Sequence, residues 1–344
     1  MLRAAQPSVG REGWRWGPSG RWGNTAVQCE YNERPAPSEG DTSVAELKCL
    51  SRARQNGARE TRQRINYIEG WRRTIGAAHE PATERDRIQV WLGPVQALGA
   101  DSSYREILSA NELLVLDQIR SPALRNRKLA GRVLLRTALS HAVNERITPR
   151  EWRIHRDANG RPVIAKSMPR INFSISYAEP VAVVAVSEKL PVGVDVETVE
   201  DTTEDMIAAF CCSCEQGLLE TGPASQNSRE FVRLWTLKEA YTKLVGLGHG
   251  IEFDSIGFSL DSLHLLHGTS AQVKDRNVHF ETMWVTSGRT LNHVAIAIDF
   301  SLSAHASADL QVMSMASADE STPAIHVPNV NILAHADLRG TDQR

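Results

Sequence analysis

The sequence predicts an α+β fold made of two similar α/β halves related by a pseudo-twofold axis, with a cleft between them. Two observations carry this expectation. Between Arg87 and Ser187 the hydrophobic pattern reads as a strand, two helices, a hairpin and paired strands; from Val192 it again opens on a strand, passes through helices and closes on strands. The 344 residues, 41% hydrophobic and 23% charged, hold enough apolar material for one or two compact units. The expected organisation is a disordered extension over 1–86, a first half over 87–190, a second half over 191–300 and a flexible tail over 301–344.

The extension is rich in Arg, Gly, Ser and Pro, as in Gly10-Arg11-Glu12-Gly13-Trp14-Arg15-Trp16-Gly17-Pro18, with little sustained periodicity. A short helix is expected across Arg59 to Thr74, although its arginines outnumber its apolar residues. The first residues carry arginine and little acid, as transit peptides do, but lack an amphipathic helix or an apolar core; a misassigned start codon explains the extension equally well. The first half opens on a strand at Arg87-Ile88-Gln89-Val90-Trp91-Leu92. Helices are expected over Glu106 to Ile119 and Pro122 to Val143, the second with a dense basic flank at Arg125-Asn126-Arg127-Lys128. Asn159-Gly160 between extended stretches is a tight-turn signal and predicts a hairpin. Paired strands follow through Ser187, with Ile171, Phe173, Ile175 and Tyr177 on one face and Asn172, Ser174 and Ser176 on the other.

The second half carries the acidic chemistry. In Gly193-Val194-Asp195-Val196-Glu197, strand alternation sends Asp195 and Glu197 to one face of a valine-rich backbone. In Trp235-Thr236-Leu237-Lys238-Glu239-Ala240-Tyr241-Thr242-Lys243, helical stacking puts Trp235, Glu239 and Lys243 on a shared face. Three convergent carboxylates from two rigid elements suit a hard cation such as Mg2+, whose remaining ligands are waters and substrate phosphates. The neighbouring lysines then meet phosphate oxygens, Lys243 ahead of Lys238. Helices near Thr203 to Phe210, Cys214 to Glu220 and Arg229 to Val245, and strands near Ile256, Val278 and Val294, complete this half. Gly246 is the expected helix C-cap.

These two motifs resemble the signatures of the 4′-phosphopantetheinyl transferases, roughly Gly-x-Asp-x-Glu and Trp-x-x-Lys-Glu-Ala-x-x-Lys, in the same order. The Phe210-Cys211-Cys212-Ser213-Cys214-Glu215 segment between them is similar to the family's Phe-x-x-x-x-Glu. The resemblance covers roughly residues 87 to 300 and points to the two-half, surfactin-type group. It implies transfer of the phosphopantetheine arm of coenzyme A to a serine of an apo acyl or peptidyl carrier protein, with release of adenosine 3′,5′-bisphosphate. Asp195, Glu197 and Glu239 are implied as the Mg2+ ligands, Glu239 also as general base, and Lys243 as a catalytic and phosphate-contacting lysine. Arg127, helped by Lys128 or Arg132, is implied to reach the nucleotide, Arg161 the adenine or 3′-phosphate side, and Ser174 and Lys238 further parts of the cofactor site. One position departs: in Ile171-Asn172-Phe173-Ser174-Ile175-Ser176-Tyr177, Ile175 stands where the family has a phosphate-contacting histidine. Either the cofactor is gripped through Arg127, Arg161 and backbone amides near Ser174, or its affinity is weaker.

Two readings of other classes compete: a metal-dependent phosphohydrolase acting on a pyrophosphate, and a catalytically silent module that holds coenzyme A or a carrier. His155-Arg156-Asp157 is similar to a kinase catalytic loop, but Pro162 stands where its asparagine belongs. The net charge of -2 argues against wholesale nucleic-acid binding, and no apolar run is long enough to span a membrane. Five cysteines without a paired framework fit a reducing, cytoplasmic compartment. Cys211, Cys212 and Cys214 are expected to pack rather than to bind zinc, and a monomer is expected from the resemblance.

Overall fold

The computed structural model describes residues 15–16, 22–23, 67–76, 86–100, 102–157, 161–219, 223–246, 251–268, 276–301, 307–315 and 325–326. The chain divides into two units, Met1–Ile65 and Asn66–Arg344. In the first, β1 (Arg15–Trp16) pairs antiparallel with β2 (Trp22–Gly23).

The second unit begins with β3 (Tyr67–Gly76), β4 (Asp86–Pro94), α1 (Val95–Ala100), α2 (Ala110–Asp117) and α3 (Pro122–Ala142). A small hairpin of β5 (Ile154–Arg156) and β6 (Pro162–Ile164) leads to β7 (Asn172–Ala178) and β8 (Val181–Ser187). Then come β9 (Val192–Thr198), α4 (Glu204–Phe210), α5 (Ser213–Leu219) and α6 (Ala224–Val245). The chain closes with the pair β10 (Ile256–Ser259) and β11 (His264–Gly268), and with β12 (Val278–Ser287), β13 (Thr290–Asp299), β14 (Ser307–Met315) and β15 (Ile325–His326). This is a mixed α+β architecture.

Local chemistry sets the helix ends. Ser109 and Glu112 form a reciprocal capping box at α2, and Ser121 caps α3 with Pro122 at its first position. Helix α6 ends at Gly246 with φ 79, a left-handed conformation that glycine adopts without strain.

Two sheets organise the unit, one ordered β3-β14-β4-β8-β7 and the other β15-β12-β13-β9. The same pairing order occurs twice, the first strand antiparallel to the last and the last antiparallel to the middle one: β4 with β8 and β8 with β7, then β9 with β13 and β13 with β12. The sheets enclose a shared apolar core of Ile88, Val90 and Leu92, Val183 and Ala185, Val194 and Val196, Val285, Val294 and Ile296. Alternation then turns the opposite faces toward helices. Helix α3 covers the first sheet, and α6 covers β9 and β13 through Leu237, Ala240, Tyr241 and Leu244 on Ala295 and Ala297. Each valine or leucine side chain so buried contributes about 1.5–3 kcal/mol, which is why long apolar strands dominate the centre.

The margins differ from the sequence expectation. Residues 67–76, expected in a disordered extension and in part as a helix, form strand β3, while residues 59–66 lie outside the described residues. Residues 307–315, expected as flexible tail, form β14, which pairs antiparallel with β3 and parallel with β4. The reason is legible in β14: Ala308, Leu310 and Val312 alternate with polar residues and enter the shared core. The Arg-rich stretch has no apolar stripe to bury as a helix, and pairing with β14 satisfies its backbone instead. The Asn159-Gly160 turn lies outside the described residues, but the register Ile154↔Ile164, His155↔Val163 and Arg156↔Pro162 is that of the expected hairpin.

Candidate active site

β7 is the free edge of one sheet and β9 the free edge of the other, and the two edges meet. Strand alternation turns Ser174 and Ser176 to the β9 side. The Val194 amide donates to Ser174 Oγ at 3.0 Å, and Ser176 Oγ donates to Asp195 Oδ1 at 2.7 Å. These two hydroxyls fasten the seam between β7 and β9.

Gly193 decides what reaches that seam. A Cβ there would lie 2.0 Å from the Ala240 carbonyl oxygen and 2.7 Å from the Leu244 nitrogen, so only glycine lets α6 rest directly on β9. The close approach sets Lys243 beside Asp195. Its ammonium donates to Asp195 Oδ1 at 2.5 Å and to Ser176 Oγ at 2.8 Å, with the side chain 28% exposed. One of its three N–H donors is left over for a ligand.

The carboxylates respond to burial and to one another. Burial raises the pKa of Asp195 even against the pull of Lys243. Burial and then the Asp195 charge raise Glu197 well above the usual carboxylate range, with Glu239 adding to the effect. Glu239 is pushed up to about 7 by burial and by Asp195, with Lys243 opposing. Burial would lower the Lys243 pKa, but Asp195, Glu239 and Glu197 together raise it, so the lysine stays charged. The four groups behave as one coupled cluster.

Among the described residues, no three His, Cys, Asp or Glu side chains are already arranged as a metal cage. The donor set nevertheless suits a hard divalent cation. Asp195 Oδ2 is buried and has no hydrogen-bond partner among the described residues, and the neighbouring carboxylates repel one another. An orphaned carboxylate oxygen is costly unless a cation or donor meets it.

The other expected ligands are distributed differently. Arg161 is exposed on the hairpin, and its guanidinium donates to the Lys243 carbonyl at 3.5 Å, across the bare Cα of Gly246. Arg127 lies on the buried side of α3, 9% exposed, rather than on a solvated basic face. Ser174, expected to contact cofactor, is 8% exposed and takes the Val194 amide, which makes it a seam residue. Ile175, in place of a histidine, faces α3: a Cβ at Gly131 would sit 2.9 Å from Ile175 Cδ1.

Lys238, expected at the cofactor site, is elsewhere. It is 1% exposed, and all three of its donors are taken, by Glu215 Oε2 at 2.5 Å, the Phe210 carbonyl at 2.8 Å and the Phe253 carbonyl at 3.0 Å. Glu215 completes the network by accepting the Cys212 and Phe258 amides, each at 2.9 Å. The quarter-turn between Lys238 and Glu239 on the helix sends the two side chains to different places. The Lys-Glu pair of the motif thus divides into a structural lysine and a site glutamate. Lys238→Met is expected to cost about 3–5 kcal/mol of stability, because it strands a buried Glu215. Cofactor affinity of the folded protein should not change. Denaturant unfolding and calorimetric titration of the same sample check both halves, and weakened affinity at full stability would return Lys238 to the site.

His293, which no local motif marked, stands opposite Glu197 in the β9–β13 register. Thr236 Oγ1 donates to the Val232 or Arg233 carbonyl, so His293 Nδ1–H donates to Thr236 at 2.6 Å. Burial, reinforced by Arg233, lowers the His293 pKa well below its ordinary value, and the ring stays neutral beside the site. Only strand pairing reveals it. Cys211 and Cys212 are buried and Cys214 exposed; burial pushes the Cys211 and Cys212 thiols up to about 12, which removes them as nucleophiles.

Comparison with known proteins agrees with this geometry. Residues 191–298, from β9 through β13, match the family model described as the 4′-phosphopantetheinyl transferase superfamily. The chain is 28% identical to the 4′-phosphopantetheinyl transferase HetI of Nostoc sp. over 47% of its own length and 70% of that protein. It is 30% identical to a 4′-phosphopantetheinyl transferase of Bacillus subtilis over 39% of its length and 58% of the relative. It is also 30% identical to the human L-aminoadipate-semialdehyde dehydrogenase-phosphopantetheinyl transferase, over 40% of its length and 48% of the relative. The chain thus spans about half the length of most of the curated relatives it matches. The acidic strand, the Lys-Glu helix and their junction all lie inside residues 191–298, the segment similar to the 4′-phosphopantetheinyl transferase superfamily.

Proposed function

We propose that this protein transfers the 4′-phosphopantetheine arm of coenzyme A to a serine of an apo acyl or peptidyl carrier protein, releasing adenosine 3′,5′-bisphosphate. The observation that carries the reading is the seam itself: Asp195, Glu197, Glu239 and Lys243 form one coupled cluster where β7, β9 and α6 meet. Asp195, Glu197 and Glu239 would hold Mg2+, which when bound neutralises pyrophosphate charge. Lys243 keeps its proton and offers its remaining N–H to a phosphate oxygen. Glu239, whose pKa burial pushes up to about 7 in the metal-free protein and which a bound cation would keep ionised, suits removal of the carrier serine proton. The serine oxygen then bonds to the phosphorus bearing the pantetheine arm, and the bond to the adenosine bisphosphate breaks. Arg161, whose guanidinium on the β5–β6 hairpin lies near the end of α6, and Arg127 would contribute to the nucleotide side.

The repeated pairing order of β4-β8-β7 and β9-β13-β12 supports two pseudo-twofold halves of the surfactin-type group, acting as a monomer. Among the described residues no helix is long and apolar enough to cross a membrane. The free thiols of Cys211, Cys212 and Cys214 support a cytoplasmic setting.

The test is incubation with coenzyme A, Mg2+ and a panel of apo carrier proteins, followed by intact-mass measurement. A phosphopantetheine adduct on a carrier is expected, together with its loss when Mg2+ is chelated. Free phosphopantetheine released without any carrier would mark a hydrolase instead.

A further inference from the structure

Where α4 gives way to α5 lies a pair of thiols that the proposed chemistry does not use. Cys212 Sγ and Cys214 Sγ approach to 2.7 Å, inside the contact distance of two non-bonded sulfurs and a short step from the roughly 2.05 Å of a disulfide. Cys214 is exposed and Cys212 is buried, so one sulfur meets solvent and the other stands behind it. Among the described residues, the hydrogen-bond partner of each sulfur is the other. Cys211, next in sequence, differs: it belongs to the apolar cluster of Leu219, Phe231 and Leu237.

The backbone fixes this pair without using either sulfur. The Cys212 amide donates to Glu215 Oε2 at 2.9 Å, and the Cys212 carbonyl accepts the Glu215 and Gln216 amides at 3.0 and 2.9 Å. Glu215 is itself held by Lys238 of α6. Backbone bonds and a buried ion pair make the anchor, and the two sulfurs are left to react. Groups already in contact behave as if present at concentrations on the order of 10⁵ M or more. In the resting protein the Cys212 thiol keeps its proton, its pKa pushed up to about 12 by burial and then by the hydrogen bond with Cys214. The exposed Cys214 is the thiol that an outside disulfide can reach.

We propose that Cys214 and Cys212 are a redox-active dithiol that a low-molecular-weight disulfide converts to an intramolecular disulfide, with Cys214 as entry thiol and Cys212 as resolving thiol. First the Cys214 sulfur, its proton passed to solvent, bonds to one sulfur of the small disulfide; that S–S bond breaks, and one small thiolate leaves and takes a proton. The mixed disulfide is uncharged, so the field of Cys214 no longer opposes ionisation of Cys212. The Cys212 sulfur, its proton passed to water, then attacks the Cys214 sulfur. The Cys212–Cys214 bond forms and the second small thiolate leaves. Two electrons pass from the pair to the small disulfide, which ends as two thiols. The inference stands apart from the transferase reading, because the exchange needs neither coenzyme A nor the carboxylate seam.

The experiment incubates the full, reduced chain with oxidised glutathione, quenches in acid, alkylates under denaturing conditions and maps tryptic peptides by mass. Residues 190–229 form a single tryptic peptide that carries Cys211, Cys212 and Cys214 but neither Cys29 nor Cys49. In wild type this peptide should lose two hydrogens, retain no glutathione and be alkylated at Cys211 alone. Dithiothreitol should return all its thiols to alkylation. Cys212→Ser should trap glutathione on Cys214, Cys214→Ser should leave Cys212 as a free thiol, and Cys211→Ser should still form the bond. The wild-type reading does not depend on how any variant folds. A peptide fully alkylated after excess oxidised glutathione overturns the proposal. So does glutathione that stays on Cys214 in wild type, or a bond that disappears in Cys211→Ser. No carrier or coenzyme A is present, so failure of the transferase reading would leave these outcomes unchanged.

Discussion

Glu239→Gln is expected to abolish most transfer, by about a hundredfold or more, while leaving the fold in place. The amide is isosteric with the carboxyl, so the helix keeps its packing, but it can neither accept the serine proton nor ligate a cation as a carboxylate does. The same variant carries a pH signature. Glu239 in the folded protein has a pKa of about 7 against an ordinary 4.5, so between those values the native state holds a proton that the unfolded chain has released. Stability from this source is complete below the unfolded value and is lost as pH rises through about 7. Glutamine has no such proton. Wild type and variant should therefore be nearly level in acid, and by pH ~8 the variant should be the more stable by on the order of 3 kcal/mol, since one pKa unit is worth about 1.4 kcal/mol. Denaturant melts at several pH values in metal-free buffer, paired with carrier-modification rates, test both claims. Wild-type transfer rates would remove Glu239 from the chemistry, and a stability difference that does not grow with pH would show that it is not buried against Asp195. Saturating Mg2+ should close the stability gap at high pH, because a cation stabilises the ionised form that only wild type has.

Gly193→Val should be the most damaging apolar substitution between β9 and β13. Its Cβ would fall 2.0 Å from a backbone carbonyl and 2.7 Å from a backbone nitrogen of α6, neither of which can turn aside as a side chain would. Helix and strand must separate, at a cost of about 3 kcal/mol or more, the upper end for overpacking. Separation carries Glu239 and Lys243 away from Asp195, and a displacement near 1 Å lowers such chemistry by about a hundredfold. Gly193→Ala should show the same pattern in milder form. A valine variant with unchanged melting temperature and rate would mean that α6 does not rest on β9 in this way.

The sequence makes the acidic motif, the Lys-Glu helix and the order of the central elements legible, because each rests on local periodicity. Val192, Val194 and Val196 alternate with Gly193, Asp195 and Glu197 as a strand buried on both faces must. It misleads at the margins, where β14 hides short apolar alternation among polar residues and β3 gains its order only from β14. It does not show that Lys238 is buried in an ion pair or that Ser174 takes a backbone amide, because a motif records residue type and spacing, not which partner the fold supplies. Glu215, distant in sequence from Lys238, claims that lysine, and the Val194 amide claims Ser174.

What the sequence alone determined is the chemistry available: three carboxylates and a lysine on two rigid elements, at spacings that set each on a known face. What only the tertiary structure decided is which of these groups share a charge cluster. Lys243 meets Asp195 because a bare Gly193 lets backbone approach backbone, and Ser176 joins them because two sheet edges close on one another. His293 enters through strand pairing. The physical reason is range: periodicity acts over a few residues, whereas burial and Coulomb coupling depend on neighbours brought together only when the whole core forms.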